Sequence, residues 1–288
     1  MRVLVTGATG FIGNRLCDLL IKEGHIVRVI ARSRTDFYDS ILCDIENDDI
    51  PREVFDDIEV IFHLAGYAHD LTNKGDNKDK YMSLNVDVTM KLARLASLSK
   101  VRKFIYVSSV KAVNSHETYG ESKRQAEISL LELAINTAMD ISILRPSLVY
   151  GPNVKGNLQA MQSAIKRGWF PPLPKLSNCR SMIHVDDVAR SLLFLALNDK
   201  TDGEIYIATD GKAYSSSDIY EEFCILFGKR IPNRRVPLAF LNFLALLSPS
   251  LKKKIKKITG NELYDSTKLE DIGFKTIFTL RDFNEKAF

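Results

Sequence analysis

Three glycines at one repeated spacing constrain this chain more than any other feature it has. Residues 1–13 read Met-Arg-Val-Leu-Val-Thr-Gly-Ala-Thr-Gly-Phe-Ile-Gly, an apolar run that enters glycines at positions 7, 10 and 13. Arg2 to Thr6 lacks polar alternation and is rich in β-branched residues, the pattern of a parallel strand buried on both faces. Phe11, Ile12, Leu16, Leu19 and Leu20 then keep a helical period as far as Lys22. A strand, a glycine turn and a helix in that order predict a pyrophosphate pocket. The glycines let the backbone approach the ligand, and the helix N-terminus at Phe11, Ile12 and Gly13 offers N–H groups and a favourable dipole. The competing reading is a turn that only needs positive φ.

The chain has 288 residues, 45% of them hydrophobic, which is enough for a full core in one compact unit or a large domain with a smaller lobe. Its formal charge of +4 suits a binder of diphosphates and falls far short of a nucleic-acid signature. Cys17, Cys43, Cys179 and Cys224 stand singly, without Cys-x-x-Cys or a nearby histidine at ligand spacing. They read as reduced thiols of a cytoplasmic chain with no structural metal. The first apolar run is too short for a signal peptide. The longest, Leu238 to Leu247, is about half of the ~20 residues a membrane-spanning helix needs.

In chain order, His25 to Ile30 is expected as a second strand. An Asp or Glu at its end would bind the 2′-hydroxyl of NAD, but Ala31-Arg32-Ser33-Arg34 stands there. A cationic strand end favours a 2′-phosphate, so NADP(H) is preferred over NAD(H); the alternative is that Arg32 stacks on adenine or is solvated. Ser40 to Cys43 and Val60 to Leu64 are the next strands. His63, inside an apolar run, reads as a packed residue. Asp70 to Lys80 carries no period and reads as a loop, and a helix is expected from Tyr81 through Leu98. Lys103 to Val107 is a fifth strand that delivers Ser108 and Ser109 at its carboxyl end, where open α/β sheets bind ligands. Tyr119 and Lys123, four apart, share one face of the following helix. A free tyrosine, with a pKa of about 10, is a poor base at neutral pH. Lys123, together with the nicotinamide cation of an oxidised cofactor, is expected to lower that pKa, and Lys123 to reach the cofactor ribose, leaving Tyr119 as acid/base and Ser109 as the group that orients the substrate oxygen. Tyr264 and Lys268 repeat the spacing without a serine-ending strand before them and read as a decoy. Asn157 is a candidate for a nucleotide diphosphate or uracil contact, or for a helix cap. Lys252 to Lys257 reads as a solvated helix face, with contact to an anionic membrane as the alternative.

Thr-Gly-Ala-Thr-Gly-Phe-Ile-Gly resembles the signature of the extended branch of the short-chain dehydrogenase/reductase superfamily, the nucleotide-sugar epimerases, dehydratases and reductases. Arg145-Pro-Ser-Leu-Val-Tyr-Gly-Pro152 and Arg180-Ser-Met-Ile-His-Val-Asp-Asp187 resemble later family segments, so the likeness spans nearly the whole chain. It implies a doubly wound parallel (Rossmann) sheet over residues 1–150, with a return segment around 179–210. A smaller C-terminal α/β lobe over 151–288 would take the nucleotide sugar in the cleft between the two. It further implies cofactor contacts at Asp44-Ile45 and at Leu64-Ala65-Gly66, an active-site asparagine at Asn85, a diphosphate contact from Arg180, helix-pinning roles for His184 and Asp186, and a homodimer. Val110 and Lys111 replace the Asp-Glu pair of the dehydratases, which argues against dehydration. Ser-Ser-Val-Lys-Ala-Val-Asn resembles bacterial surface-polysaccharide enzymes that reduce or epimerise C4 of UDP-N-acetylhexosamines. The function expected is therefore NADP(H)-linked reduction of a UDP-4-keto-6-deoxy-N-acetylhexosamine. The alternatives are a 4-epimerase with bound NAD and a catalytically silent NADP-binding regulator.

Overall fold

The computed structural model describes residues 1–33, 37–68, 77–114 and 117–282. In chain order its elements are β1 (Arg2–Thr6), α1 (Phe11–Lys22), β2 (Ile26–Ala31), β3 (Asp39–Leu42), β4 (Val60–His63), α2 (Lys78–Met82), a π-turn (Ser83–Asp87) and α3 (Val88–Ser97). There follow β5 (Lys103–Val107), a 3₁₀ turn (Val110–Ala112), α4 (Thr118–Ile135), β6 (Asp140–Pro146), β7 (Leu148–Tyr150), α5 (Asn157–Lys166), β8 (Arg180–His184) and α6 (Val185–Leu197). The last are β9 (Glu204–Ala208), β10 (Ala213–Tyr214), α7 (Ser216–Leu226), α8 (Leu238–Leu247), α9 (Pro249–Thr259) and α10 (Thr267–Asp271).

The chain divides into two compact units. The first comprises Met1–Ser147, Val185–Ala208 and Ser266–Lys275. Its seven strands form one sheet in the order β3-β2-β1-β4-β5-β6-β9, and every pairing is parallel. The reason lies in the strands themselves. All residues of β4 and β5, and all of β1 after Arg2, are buried, so both sheet faces must be covered by helices. On one face Leu4, Ile61, Phe104, Tyr106 and Ile141 pack with Met90 and Ala93 of α3 and Ala126 and Leu130 of α4. On the other, α1 packs against α6, and Arg15 grips both carboxylate oxygens of Asp186 at 2.6 and 2.7 Å. The order reverses between β1 and β4, and α1 starts at that switch point, where such sheets bind ligands.

The second unit comprises Leu148–His184, Thr209–Asp265 and Thr276–Phe288. Its sheet has three strands in the order β10-β8-β7. β8, which the sequence reading groups with the nucleotide domain, pairs parallel with β7 and antiparallel with β10, while α10 belongs to the first unit. α7 begins at Ser216, where Ser215 and Asp218 form a reciprocal capping box. Among the described residues no helix is long and apolar enough to cross a membrane, no acidic, histidine or cysteine cluster could hold a metal, and Cys17, Cys43, Cys179 and Cys224 are free.

Candidate active site

The turn from β1 into α1 is built by absences of side chain. Gly7 has φ of +72°, and a Cβ there would lie 2.8 Å from Ala65 N. A Cβ on Gly13 would lie 2.1 Å from Gly7 O, so the first turn of α1 is pressed onto the loop and nothing but hydrogen fits. Gly10 caps the helix with extended backbone and no side-chain bond, and no acidic residue stands in the first turn. The N–H groups of Phe11, Ile12 and Gly13 therefore face no competing carboxylate, which is the chemistry a diphosphate needs. Leu64, Ala65 and Gly66 leave β4 directly beside this turn, and Thr6 Oγ1 accepts a hydrogen bond from Ala65 N at 3.2 Å. These residues fit a dinucleotide.

His63 is a packed residue, as its sequence context implies. It is fully buried, with Nδ1 at 2.7 Å from Thr6 Oγ1 and Nε2 at 2.9 Å from Thr89 Oγ1. Thr89 donates to Asn85 O and Thr6 accepts from Ala65 N, so one tautomer satisfies both bonds: Nε2–H donates to Thr89 and Nδ1 accepts from Thr6. Burial pushes its pKa down to about 3, which keeps the ring neutral.

At the end of β2 the Arg32 side chain is exposed; Arg34 lies outside the described residues. Asp44 accepts hydrogen bonds from Asn47 Nδ2 at 2.9 Å and Glu46 N at 3.2 Å. The Asn47 bond, then the Glu46 bond and the positive charge of Arg32 hold its pKa below the ordinary value. Asp44 and the half-buried Ile45 thus sit in the loop after β3, within the electrostatic reach of Arg32.

The three residues read as catalytic converge at the carboxyl end of β5. Ser109 caps the 3₁₀ turn, its Oγ accepting from Lys111 N at 3.2 Å, and it shares a hydrogen bond with the Tyr119 phenol. One helical turn on, Lys123 Nζ donates to Val107 O at 3.0 Å and lies 4.6 Å from the Tyr106 ring centroid. Burial drives Tyr119 up to about 12, with the Ser109 bond opposing it. Burial drives Lys123 down to about 8, with the charge of Glu127 opposing it. Desolvation thus pushes both groups toward their neutral forms, opposite in direction to the lowering of Tyr119 that the sequence reading expects from Lys123 and an oxidised nicotinamide.

Two features exceed what the sequence conveys. Tyr81 to Leu98, expected as one helix, is α2 and α3 joined by the π-turn, with the start moved to Lys78. That turn carries Asn85, which is buried. Its Oδ1 accepts from Tyr67 N at 2.8 Å, and its Nδ2 donates to Tyr67 O at 3.0 Å and Ser122 Oγ at 2.9 Å. Asn85 thereby fastens the irregular segment following β4 to α4. A Cβ on Gly66 would lie 2.8 Å from Asn85 Oδ1 and 3.3 Å from Lys123 Nζ, so Gly66 lets the cofactor-side loop pass the catalytic lysine. The second is Glu127, one turn beyond Lys123 and buried, which takes a forked grip from Arg145 of the Arg-Pro segment, Nε to Oε1 at 2.8 Å. The i+4 spacing from Lys123 to Glu127 was the available signal.

Two candidate residues lie in the second unit. Arg180 donates to Glu262 Oε2 at 2.7 Å and to Lys257 O, so both terminal nitrogens are engaged and its buried Nε is left over. Asn157 is the first residue of α5, and Gly156, with φ of +73°, takes the cap position in its place. His184 packs against the Tyr150 and Phe278 rings at 5.3 and 4.6 Å.

A glycine cradle at the switch point and a Ser-Tyr-Lys group at the end of β5 are the equipment of a dinucleotide-dependent oxidoreductase. Residues 3–208 match the profile of the NAD dependent epimerase/dehydratase family, and the chain belongs to that family. A UDP-glucose 4-epimerase of Vibrio cholerae is 27% identical over 97% of this chain and 92% of its own length. An N-acetyl-α-D-glucosaminyl-diphospho-ditrans,octacis-undecaprenol 4-epimerase of Escherichia coli O157:H7 is 25% identical over 96% and 91%. A UDP-2-acetamido-2,6-β-L-arabino-hexul-4-ose reductase of Pseudomonas aeruginosa is 28% identical over 67% of this chain and 49% of its own. Among solved structures, a UDP-N-acetylglucosamine 4-epimerase from Bacillus cereus superposes with a TM-score of 0.80 at 18% identity, covering 100% of this chain and 98% of that one. The shared fold is thus that of nucleotide-sugar epimerases.

Proposed function

We propose that the protein transfers hydride at C4 of a UDP-linked sugar, and that its reaction is the NADP(H)-linked reduction of a UDP-4-keto-6-deoxy-N-acetylhexosamine. The observation that carries the C4 chemistry is the Tyr119 phenol bonded to Ser109 and one turn from Lys123, at a strand end beside a dinucleotide cradle. A bound nicotinamide dinucleotide would supply the hydride. Gly7, Gly10, Phe11, Ile12 and Gly13 would hold its diphosphate, Leu64, Ala65 and Gly66 would line it, and Lys123 would reach its ribose. Ser109 orients the sugar oxygen, and Tyr119 gives that oxygen a proton as the carbonyl becomes an alcohol, or removes one in the reverse direction. Tyr119 is protonated at neutral pH because burial raises its pKa, which suits the acid role that reduction demands. Val110 and Lys111 supply no acid-base pair for dehydration. The exposed Arg32 at the end of β2 favours the 2′-phosphate of NADP(H), and the remaining donor of Arg180 and the Asn157 amide are assigned to the substrate's diphosphate and uracil.

The specific observation favouring a second reading is that relatives matched over nine-tenths of their length are named 4-epimerases. In that case NAD stays bound and the hydride returns to the opposite face of the sugar. Absorbance at 340 nm separates the two. Stoichiometric loss of NADPH signal with a UDP-4-keto-6-deoxy-GlcNAc, faster than with NADH, supports reduction. A steady signal while UDP-GlcNAc or UDP-glucose converts to its C4 epimer overturns reduction in favour of epimerisation.

A further inference from the structure

The structure places an apolar helix and a cationic helix side by side on the second unit, and neither is used by the chemistry above. α8 reads Leu-Ala-Phe-Leu-Asn-Phe-Leu-Ala-Leu-Leu, with one polar residue in ten, yet none of its described side chains is buried. Phe240, Phe243, Leu246 and Leu247 are 50, 56, 83 and 63% exposed. An isolated apolar residue on a surface is ordinary; a whole apolar helix is not, and such patches mark a partner. Ser248, in extended conformation, breaks the helix, and Pro249 opens α9. In α9, Leu251, Ile255 and Ile258 recur at helical spacing, and Lys252, Lys253, Lys256 and Lys257 are exposed. The hairpin is fastened to the unit at both ends. Val236 N donates to Pro172 O before it, and Asn178 Nδ2 and Ser216 Oγ donate to Ile258 O after it.

Charge identifies the partner. Residues 223–261 hold nine of the chain's 40 lysines and arginines and none of its 36 acidic residues. Four of these cations precede α8 (Lys229, Arg230, Arg234, Arg235) and five follow it in α9, so the apolar helix is bracketed by positive charge. A second copy of the chain would bring cations against cations. A free polyanion would satisfy the lysines and leave the phenylalanines and leucines in water. An anionic lipid surface satisfies both, because acyl chains take the apolar helix while headgroup phosphates take the flanking lysines. With 10 residues, α8 is about 15 Å long and lies at the interface without crossing it.

We propose that α8 and α9 form an interfacial docking device that holds this protein on an anionic bilayer. The proposal takes the membrane alternative for Lys252 to Lys257, because a solvated face does not need an exposed apolar helix beside it.

Flotation of the full chain with vesicles tests the proposal without substrate or cofactor, so its failure and that of the C4 reading are separable. The protein is expected to float with phosphatidylcholine vesicles containing 30% phosphatidylglycerol, and at least fivefold less with pure phosphatidylcholine. Raising salt from 50 to 500 mM should weaken the anionic binding severalfold, since screening acts on the lysines. Replacing Lys252, Lys253, Lys256 and Lys257 together by Gln should remove the lipid selectivity. The double variant Phe243→Ser, Leu246→Ser should reduce binding at every salt concentration; these side chains are exposed, so its melting temperature should be unchanged. Absence of flotation, or binding that neither variant alters, overturns the proposal. So does a double variant that loses only self-association in lipid-free sedimentation, which would make the face a contact between copies.

Discussion

The chain contains the sequence Tyr-x-x-x-Lys twice, and the two copies differ in everything except spacing. Tyr119 and Lys123 share the first turns of α4. Tyr119 is partly and Lys123 fully buried, the phenol is bonded to Ser109, and the ammonium is held by Val107 O against the Tyr106 face. Tyr264 lies in irregular chain, where burial and the nearby charge of Glu262 raise its pKa. Lys268 stands in α10, half exposed, paired with Glu204 and lying over the Tyr206 ring. Spacing four apart makes a pair only where both residues belong to one helix. What distinguishes the first copy is its place on one helix at a strand end, with Ser109 bonded to the phenol and the lysine buried; the second shares none of these features.

The widest predicted gap between the copies is in turnover. Tyr119→Phe should lower kcat by about 10³-fold, in keeping with loss of a proton-transfer group, while Tyr264→Phe should stay within about twofold of wild type. Equal losses in steady-state assays of the two variants would erase the distinction drawn here. Next comes the lysine. Lys123→Met should cost about 10²-fold in kcat/KM and raise the KM for the dinucleotide, if Lys123 has the role proposed for it beside tyrosine and cofactor. Lys268→Met should leave both parameters alone and change stability by no more than about 1 kcal/mol, the worth of an exposed ion pair. Ser109→Ala should sharpen the comparison further, by a loss of roughly 10- to 100-fold in kcat that falls on the Tyr119 copy only.

The smallest effect is one of stability against pH. Lys123 titrates near 8 in the folded protein, below its ordinary value of 10.5, because burial penalises its charge. Between those two pH values the unfolded chain binds the extra proton. The Lys123 contribution therefore makes the protein more stable as pH rises from about 8 to 10.5. Urea titrations across that window should show this rise in wild type and in Lys268→Met, and its loss in Lys123→Met. A parallel rise in all three would contradict the buried setting of Lys123.

Much of this was legible in the sequence because it rests on local rules. The burial of β1, β4 and β5 on both faces writes continuous apolar runs, and the close approach of Gly13 to Gly7 O writes a glycine. Ser109, Tyr119 and Lys123 could be placed because strand end, helix start and spacing coincide. What escaped depends on partners distant in sequence or on small backbone departures. The π-turn that swings Asn85 onto Tyr67 and Ser122 is one extra residue per turn, and helical periodicity over Tyr81 to Leu98 cannot register it. The desolvation that raises the Tyr119 pKa was not legible, because a sequence shows that a lysine is near but not how the fold covers the phenol. The Glu262 partner of Arg180 was hidden as well, because it lies 82 residues on in the chain. The exposure of α8 was equally hidden, since an apolar decapeptide normally signals a core.

The most direct test of the central claim follows the transferred hydrogen. Wild type and Tyr119→Phe are incubated with a UDP-4-keto-6-deoxy-GlcNAc and NADPH dideuterated at nicotinamide C4, and the product is read by NMR. The account predicts deuterium at sugar C4 with wild type, at a rate about 10³-fold lower with Tyr119→Phe. Transfer that proceeds undiminished in Tyr119→Phe, or a wild-type product without deuterium at C4, would contradict it.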